Sequence, residues 1–398
     1  MNRTIYLDHA AATPLDPMVL EVMQPYFSDV FGNPSSFHSL GKQAKDDVTM
    51  ARQSIATFLN AHEDEIIFTS GGTESDNLAV MGVPRYVGNM PHVITSAIEH
   101  HAVLEPLIHM QRKNEIELTI VPVDRAGKVD VTEVMAAVKS NTVLISIMMA
   151  NNEIGTIQPL AEIGRELLKY RKEHGTVHPY FHTDACQATG YLEMDVEKLH
   201  VDLLTLNGSK VYGPKGIGAL FVRRGVKVQP MFIGGGQERN VRSGTENVPG
   251  IIGLAKALEL AHTNRVQESE RLTVLRDRLT EGLMNIPKTI LNGSLTERLP
   301  NSVNISFLDI EGEAAVLYLD AKGIMASTGS ACASASLDPS HVILAIGHSY
   351  EAAHGSIRFT LGHSTTEQDV DYVISVMPEI VERLRLMSPV NLDMKYFS

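Results

Sequence analysis

Between about residues 60 and 225 the chain alternates short runs rich in β-branched and apolar residues with longer stretches whose apolar positions recur at helical spacing. Seven such runs, at 66–69, 92–95, 118–121, 143–147, 180–183, 203–206 and 218–222, read as strands. Strands separated by helical stretches are the signature of βαβ units around a mainly parallel sheet, so the expected fold class is α/β. A helical pattern from about 248 to 285, stopped by Pro287, is expected to bridge to a second domain. Beyond it, strand-like runs at 302–307 and 356–359 flank a stretch of small residues, and 366–386 reads as a closing helix. The expected division is a large α/β domain at 13–256 and a smaller α+β domain at 257–398 that also takes in residues 1–12. Residues 388–398 read as a tail. No repeat, low-complexity tract or Ser/Gly linker separates the two domains, so firm packing is expected.

Composition narrows the function. At 398 residues the chain exceeds the usual size of one hydrophobic core, in keeping with two domains. It has 43% hydrophobic residues, no apolar run of about 18 residues, and an acidic Asp8 before any stretch long enough for a signal peptide. The expectation is a cytoplasmic protein with no membrane span. A net charge of −13 argues against a nucleic-acid backbone as the main ligand. Only two cysteines occur, Cys186 and Cys332, too far apart for a zinc pair or a disulfide framework.

Cys332 lies in Ser327-Thr328-Gly329-Ser330-Ala331-Cys332-Ala333-Ser334-Ala335-Ser336, where no bulky apolar side chain walls off a thiol. A nucleophilic thiol needs such exposure and freedom, whereas a structural cysteine packs as a small hydrophobe. An exposed loop thiol without chemistry fits the same stretch.

Several other motifs gather at strand ends. Ser70-Gly71-Gly72-Thr73-Glu74 runs from a strand into a helix start, where free N–H groups and the helix dipole suit a phosphate. It lacks the lysine of a P-loop and the GxGxxG pattern, so a nucleotide is not indicated. Asp184 follows the strand at 180–183, and Lys210 follows the next strand, within Asn207-Gly208-Ser209-Lys210. Ligands of open α/β sheets bind at that carboxyl edge. An aspartate and a lysine converging there suit pyridoxal 5'-phosphate: the carboxylate keeps the ring nitrogen protonated and the amine forms the Schiff base. Taken singly, a capping aspartate and a surface lysine are commoner. His100, opening the next helix, can stack on a planar ring and move protons near neutral pH. Arg358, in an apolar strand, requires an anionic partner, which a substrate carboxylate would supply. Asn152 can hydrogen-bond a ring substituent.

With these residues in view, the chain resembles the pyridoxal-phosphate cysteine desulfurases of the class V aminotransferase family, in the iron–sulfur-cluster branch with a long loop around the cysteine. The matching motifs are spread nearly end to end. They include Tyr6-Leu7-Asp8, Phe31-Gly32-Asn33-Pro34-Ser35-Ser36, Thr73-Glu74-Ser75-Asp76-Asn77, Asn151-Asn152-Glu153-Ile154-Gly155, Gly213-Pro214-Lys215-Gly216, Arg242-Ser243-Gly244-Thr245, Gly329-Ser330-Ala331-Cys332 and Ser356-Ile357-Arg358-Phe359.

The resemblance implies a fold type I architecture and a site carried by named positions. Lys210 would be the Schiff-base lysine, Asp184 the pyridinium partner, His100 the stacking acid/base and Gln187 a contact to the phenolic oxygen. Gly72 and Thr73 would hold the phosphate. Arg358, Asn152 and Asn33 would hold the substrate L-cysteine, and Cys332 would receive its sulfur. Thr245 would reach the phosphate in a neighbouring subunit, implying a homodimer. An iron–sulfur scaffold or another sulfur-acceptor protein is the implied partner. The chain departs from the family's Ser-Gly-His-Lys with Asn207 and Ser209, two side chains that still donate hydrogen bonds to phosphate. A selenocysteine lyase, another pyridoxal-phosphate β-lyase, or a sulfur-relay scaffold stays open as a rival reading.

Overall fold

The computed structural model describes residues 4–329, 339–392 and 394. In chain order its strands are β1 (Ile5–Tyr6), β2 (Ile66–Thr69), β3 (His92–Ser96), β4 (Glu117–Val121), β5 (Thr142–Ser146), β6 (Tyr180–Asp184), β7 (Leu203–Asn207), β8 (Gly218–Val222), β9 (Thr289–Leu291), β10 (Ser302–Phe307), β11 (Ile324–Met325) and β12 (Ser356–Thr360). β2 to β8 form one seven-stranded sheet in the order β2-β8-β7-β6-β5-β3-β4. All neighbours are parallel except β8, which runs antiparallel to both β2 and β7. The expected mainly parallel α/β sheet is therefore present.

Every residue of β2, β3 and β5 is buried, whereas edge strand β4 exposes Glu117 and Ile120. Burial on both faces explains why the sequence shows continuous apolar runs there. Successive side chains serve opposite faces: Ile94, Ile145 and Leu204 enter one core, and Val93, Leu144 and Leu203 the other.

A third core forms around the antiparallel sheet β12-β10-β9. It gathers Leu7, Phe307, Phe359 and Met377. The helix Val248–Met284 belongs to both regions. Its first part packs Ile251, Leu254 and Leu258 into the large-sheet core, and its second part packs Leu272, Leu275, Leu279 and Leu283 into the small one. Beyond the helix Glu367–Met387 the chain folds back: Leu392 N donates to Asp309 Oδ1 at 2.6 Å.

Among the elements absent from the sequence expectation are a long helix and a short strand pair. The helix Ser39–Leu59 buries Gly41, Ala44, Ala51 and Ala56 along with Val48, Ile55 and Leu59, a stripe too rich in small residues to stand out. The pair β1 and β11 is only two residues long on each side.

Candidate active site

Because β2 and β7 are both antiparallel to β8, six strands share one direction and their carboxyl ends meet along one edge. A cavity of about 280 Å³ opens there, close to the lower limit of small-molecule sites. Gly72, Thr73, His100, Asn152, Asp184, Gln187, Asn207, Lys210 and Arg358 all line it. Residues from five strand ends and from the small region thus converge on one space.

At one end the helix Gly72–Val87 begins without a side-chain cap, which leaves its first N–H groups for an anion. Gly72 is required by contact: a Cβ there would lie 2.9 Å from Cys186 Sγ and 3.4 Å from Asn207 Nδ2. Asn207 Oδ1 accepts from both the N–H and the Oγ of Ser209, each at 3.0 Å. Ser209 does not line the cavity; its hydroxyl orients Asn207 instead.

Asp184 ends β6 opposite Thr205 and accepts from Cys186 N at 2.9 Å. Lys210 closes the turn Gly208–Lys210, and its Nζ donates to Ala11 O at 2.5 Å. Lys215, the other lysine of this segment, instead donates to the Thr13 carbonyl and does not line the cavity. Gln187 Nε2 donates to Ala10 O at 2.9 Å.

His100 caps the helix His101–Arg112, its Nδ1 accepting from Ala102 N at 3.0 Å. Burial, opposed by Asp184 and reinforced by Lys210, lowers its pKa below the usual histidine value. The ring is therefore neutral at pH 7, and with Nδ1 accepting, its proton sits on Nε2.

Arg358 is 3% exposed in the middle of β12. The anionic partner that its burial requires is Asp8, whose Oδ1 accepts from Nη2 at 2.7 Å. Nη1 donates to Asn152 O at 3.0 Å, and Nε has no partner among the described residues. Sequence reasoning assigned this anion to a substrate and missed Asp8. It also missed the whole Asp8–Thr13 strap, which laces the cleft through Ala10, Ala11 and Thr13. The visible signal was Asp8 followed by the small residues Ala10, Ala11 and Ala12.

Two further expected residues lie outside the cleft. Asn33 is exposed, and its Oδ1 accepts from Ser35 N at 2.9 Å. Thr245 is exposed as well. Cys332 lies outside the described residues. Cys186, the competing thiol, is 7% exposed, and burial together with Asp184 and Asp76 raises its pKa well above the usual thiol value. A thiol held neutral is a poor nucleophile.

The Aminotransferase class-V family profile matches residues 5–373. The chain belongs to this family. Its relatives include "Cysteine desulfurase IscS" of Methanosarcina thermophila, 53% identical over 98% of this chain and 95% of the relative. The protein of the same name from Dictyoglomus turgidum is 50% identical over 99% of both. Among solved structures, a NifS-like protein superposes with a TM-score of 0.88 at 37% identity, covering 96% of this chain and all (100%) of the other. "SspA in complex with cysteine" superposes with a TM-score of 0.78 at 36% identity over 90% of this chain and 99% of that one.

Enzymes of this family depend on pyridoxal 5'-phosphate. The cleft fits that group on its own chemistry. It has an uncapped helix start with a glycine for an anion, a buried carboxylate, a neutral imidazole and an amine at one sheet edge.

Proposed function

We propose that the protein is a cysteine desulfurase, converting L-cysteine to L-alanine and leaving the sulfur as a persulfide on Cys332. The observation that carries this reading is the convergence of Lys210, Asp184, His100 and Arg358 on one cleft. The names of relatives about half identical over nearly the full chain support it.

When bound, pyridoxal 5'-phosphate supplies an electron sink that lets bonds beside a substrate amino group break. Thr73 and the free N–H groups at the start of the Gly72–Val87 helix would hold its phosphate, with Asn207 alongside. Asp184 would keep a proton on the ring nitrogen, and Gln187 would meet the phenolic oxygen. Lys210 would hold the cofactor's aldehyde carbon and move the substrate α-proton, while the neutral His100 would give up its Nε2 proton and take one back there. Arg358, with Nε unpartnered, and Asn152 receive the substrate carboxylate. The Cys332 thiolate then takes the sulfur and passes it to an acceptor.

The chain works as a homodimer in which Thr245 contributes to the other subunit's phosphate site. Exposed Thr245, and exposed apolar Phe37 and Ile233, support this assembly. Asn33, exposed and outside the cleft, would have to be brought to the substrate as it binds. The sulfur goes, in the cytoplasm, to an iron–sulfur scaffold or another sulfur-acceptor protein, for cluster assembly, transfer-RNA thiolation or both. No helix among the described residues is long and apolar enough to cross a membrane. Incubation of cofactor-loaded protein with L-cysteine, with alanine and sulfide measured, is the test. Absence of both products would reject the desulfurase reading.

A further inference from the structure

The turn that receives the phosphate is held from outside the cleft. β2 leads straight into it, and β2 is an edge strand: β8 covers one side, and no strand among the described residues covers the other. Side chains take that place. Glu238, 8% exposed, accepts from Phe68 N at 2.8 Å and from Arg52 Nη1 and Nη2 at 2.8 and 2.6 Å. Arg52 Nη1 also donates to Ile66 O at 2.7 Å, and its guanidinium lies 4.5 Å from the centre of the Phe68 ring.

The backbone that carries Glu238 is strained. Gly236, Glu238, Arg239 and Asn240 have φ of +85°, +43°, +57° and +65°. Consecutive non-glycine residues in left-handed space are costly, and such a run persists only where its surroundings fix it. Arg239 adds to the fixing by donating to the carbonyls of Glu63, Asp64 and Ile66. The strained turn delivers Arg242 to the far end of the phosphate turn. There Arg242 Nε donates to Glu74 Oε1 at 2.9 Å, and Glu74 Oε2 accepts from Ser70 N at 2.8 Å. One loop thus grips Phe68 before the phosphate turn and Glu74 after it. Gly71, Gly72 and Thr73 lie between the two grips.

We propose that Glu238 is a positioning residue for the cofactor phosphate: with Arg242 it sets the shape of the 70–73 turn, although neither side chain lines the cleft. This rests on the reading of that turn as the phosphate site. A hold at both ends fixes the direction of the N–H groups between them before the anion arrives, so less ordering is left for binding. Glu238→Gln keeps the size of the side chain yet breaks the hold. Wherever its NH2 points it meets a donor, Arg52 Nη2 at one oxygen position or Arg52 Nη1 and Phe68 N at the other.

The test measures dissociation of pyridoxal 5'-phosphate and of pyridoxal, which lacks the phosphate, from the full chain after cofactor removal, with folding confirmed by circular dichroism. In Glu238→Gln the phosphate form binds about 10-fold more weakly and pyridoxal less than about 2-fold, so the gain from the phosphate shrinks. Glu238→Asp, which keeps the charge, restores part of that gain. Arg242→Gln shrinks it likewise, and carries the test if Glu238→Gln does not fold. Equal weakening of both ligands in these variants would make the clamp purely structural and refute the proposal, with the phosphate reading intact. If the wild type bound the two ligands alike, the reading of the turn as the phosphate site would itself fall.

Discussion

Ser340 Oγ donates to Glu153 Oε2 at 2.5 Å, and the same oxygen would lie 3.0 Å from a Cβ built on Gly329. Residues just before and just after positions 330–338 therefore meet one carboxylate. Glu153 is 4% exposed, and its own backbone is fixed by Asn151 Oδ1 at 2.8 Å and Asn304 Nδ2 at 3.1 Å. Glu153→Ala removes the acceptor and leaves the Ser340 hydroxyl without it, a loss of about 1–3 kcal/mol in a urea titration. Sulfide release falls while the cofactor absorbance stays. Unchanged turnover in a destabilised variant would make the contact a matter of stability alone.

Lys210→Ala abolishes turnover, since Lys215 is engaged with the Thr13 carbonyl away from the cleft. Borohydride reduction of the wild-type holoenzyme followed by peptide mapping locates the cofactor on Lys210. A label on Lys215 would overturn the assignment.

Cys332→Ser stops alanine and sulfide formation but leaves the cofactor spectrum responsive to cysteine, because a serine hydroxyl is rarely ionised and takes no sulfur. Cys186→Ser retains most activity, since the Cys186 thiol is buried and held neutral. Mass spectrometry after one turnover places the extra sulfur on Cys332; its appearance on Cys186 would reverse the roles.

Asp8→Asn removes the charged partner of a guanidinium whose side chain is 4% exposed. Breaking a buried pair from one side costs about 2–5 kcal/mol. A fall of that size in denaturant stability is expected, and added L-cysteine restores part of it by bringing a carboxylate to Arg358. No restoration by the substrate would separate Arg358 from substrate binding.

Glu99 makes stability fall with rising pH. Its folded pKa, about 8, exceeds the ordinary 4.5, so the folded chain holds a proton that the unfolded chain releases across this range. The contribution is whole below about pH 4.5 and is lost as pH rises through about 8, at about 1.4 kcal/mol per pH unit. Between about pH 6 and 8, urea unfolding of cofactor-free protein should show the wild type losing roughly 2–3 kcal/mol more than Glu99→Gln. Parallel curves for the two proteins would show that Glu99 does not bind the proton.

The strands of the large sheet were legible because each is buried on both faces and so appears as an apolar run between turns. Asp184, Lys210, His100 and Gly72 were legible for a related reason: each follows such a run, and parallel strands bring their carboxyl ends together. The Ser39–Leu59 helix was not, since packing through Gly41, Ala44 and Ala56 leaves a faint hydrophobic period. Asp8 was missed as a site residue for another cause. What it does depends on Arg358, far along the chain, and no local spacing encodes such a meeting.

The strap from Asp8 to Thr13 bears on how the site comes into being. It is made before its partner, since Asp8 meets Arg358 across 350 positions of sequence. The strap has to wait, its wall of the cleft unbuilt, until the strand that carries Arg358 has been delivered. A truncated nascent chain can hold its central sheet and still have no pocket, so competence to load the cofactor arrives late and all at once.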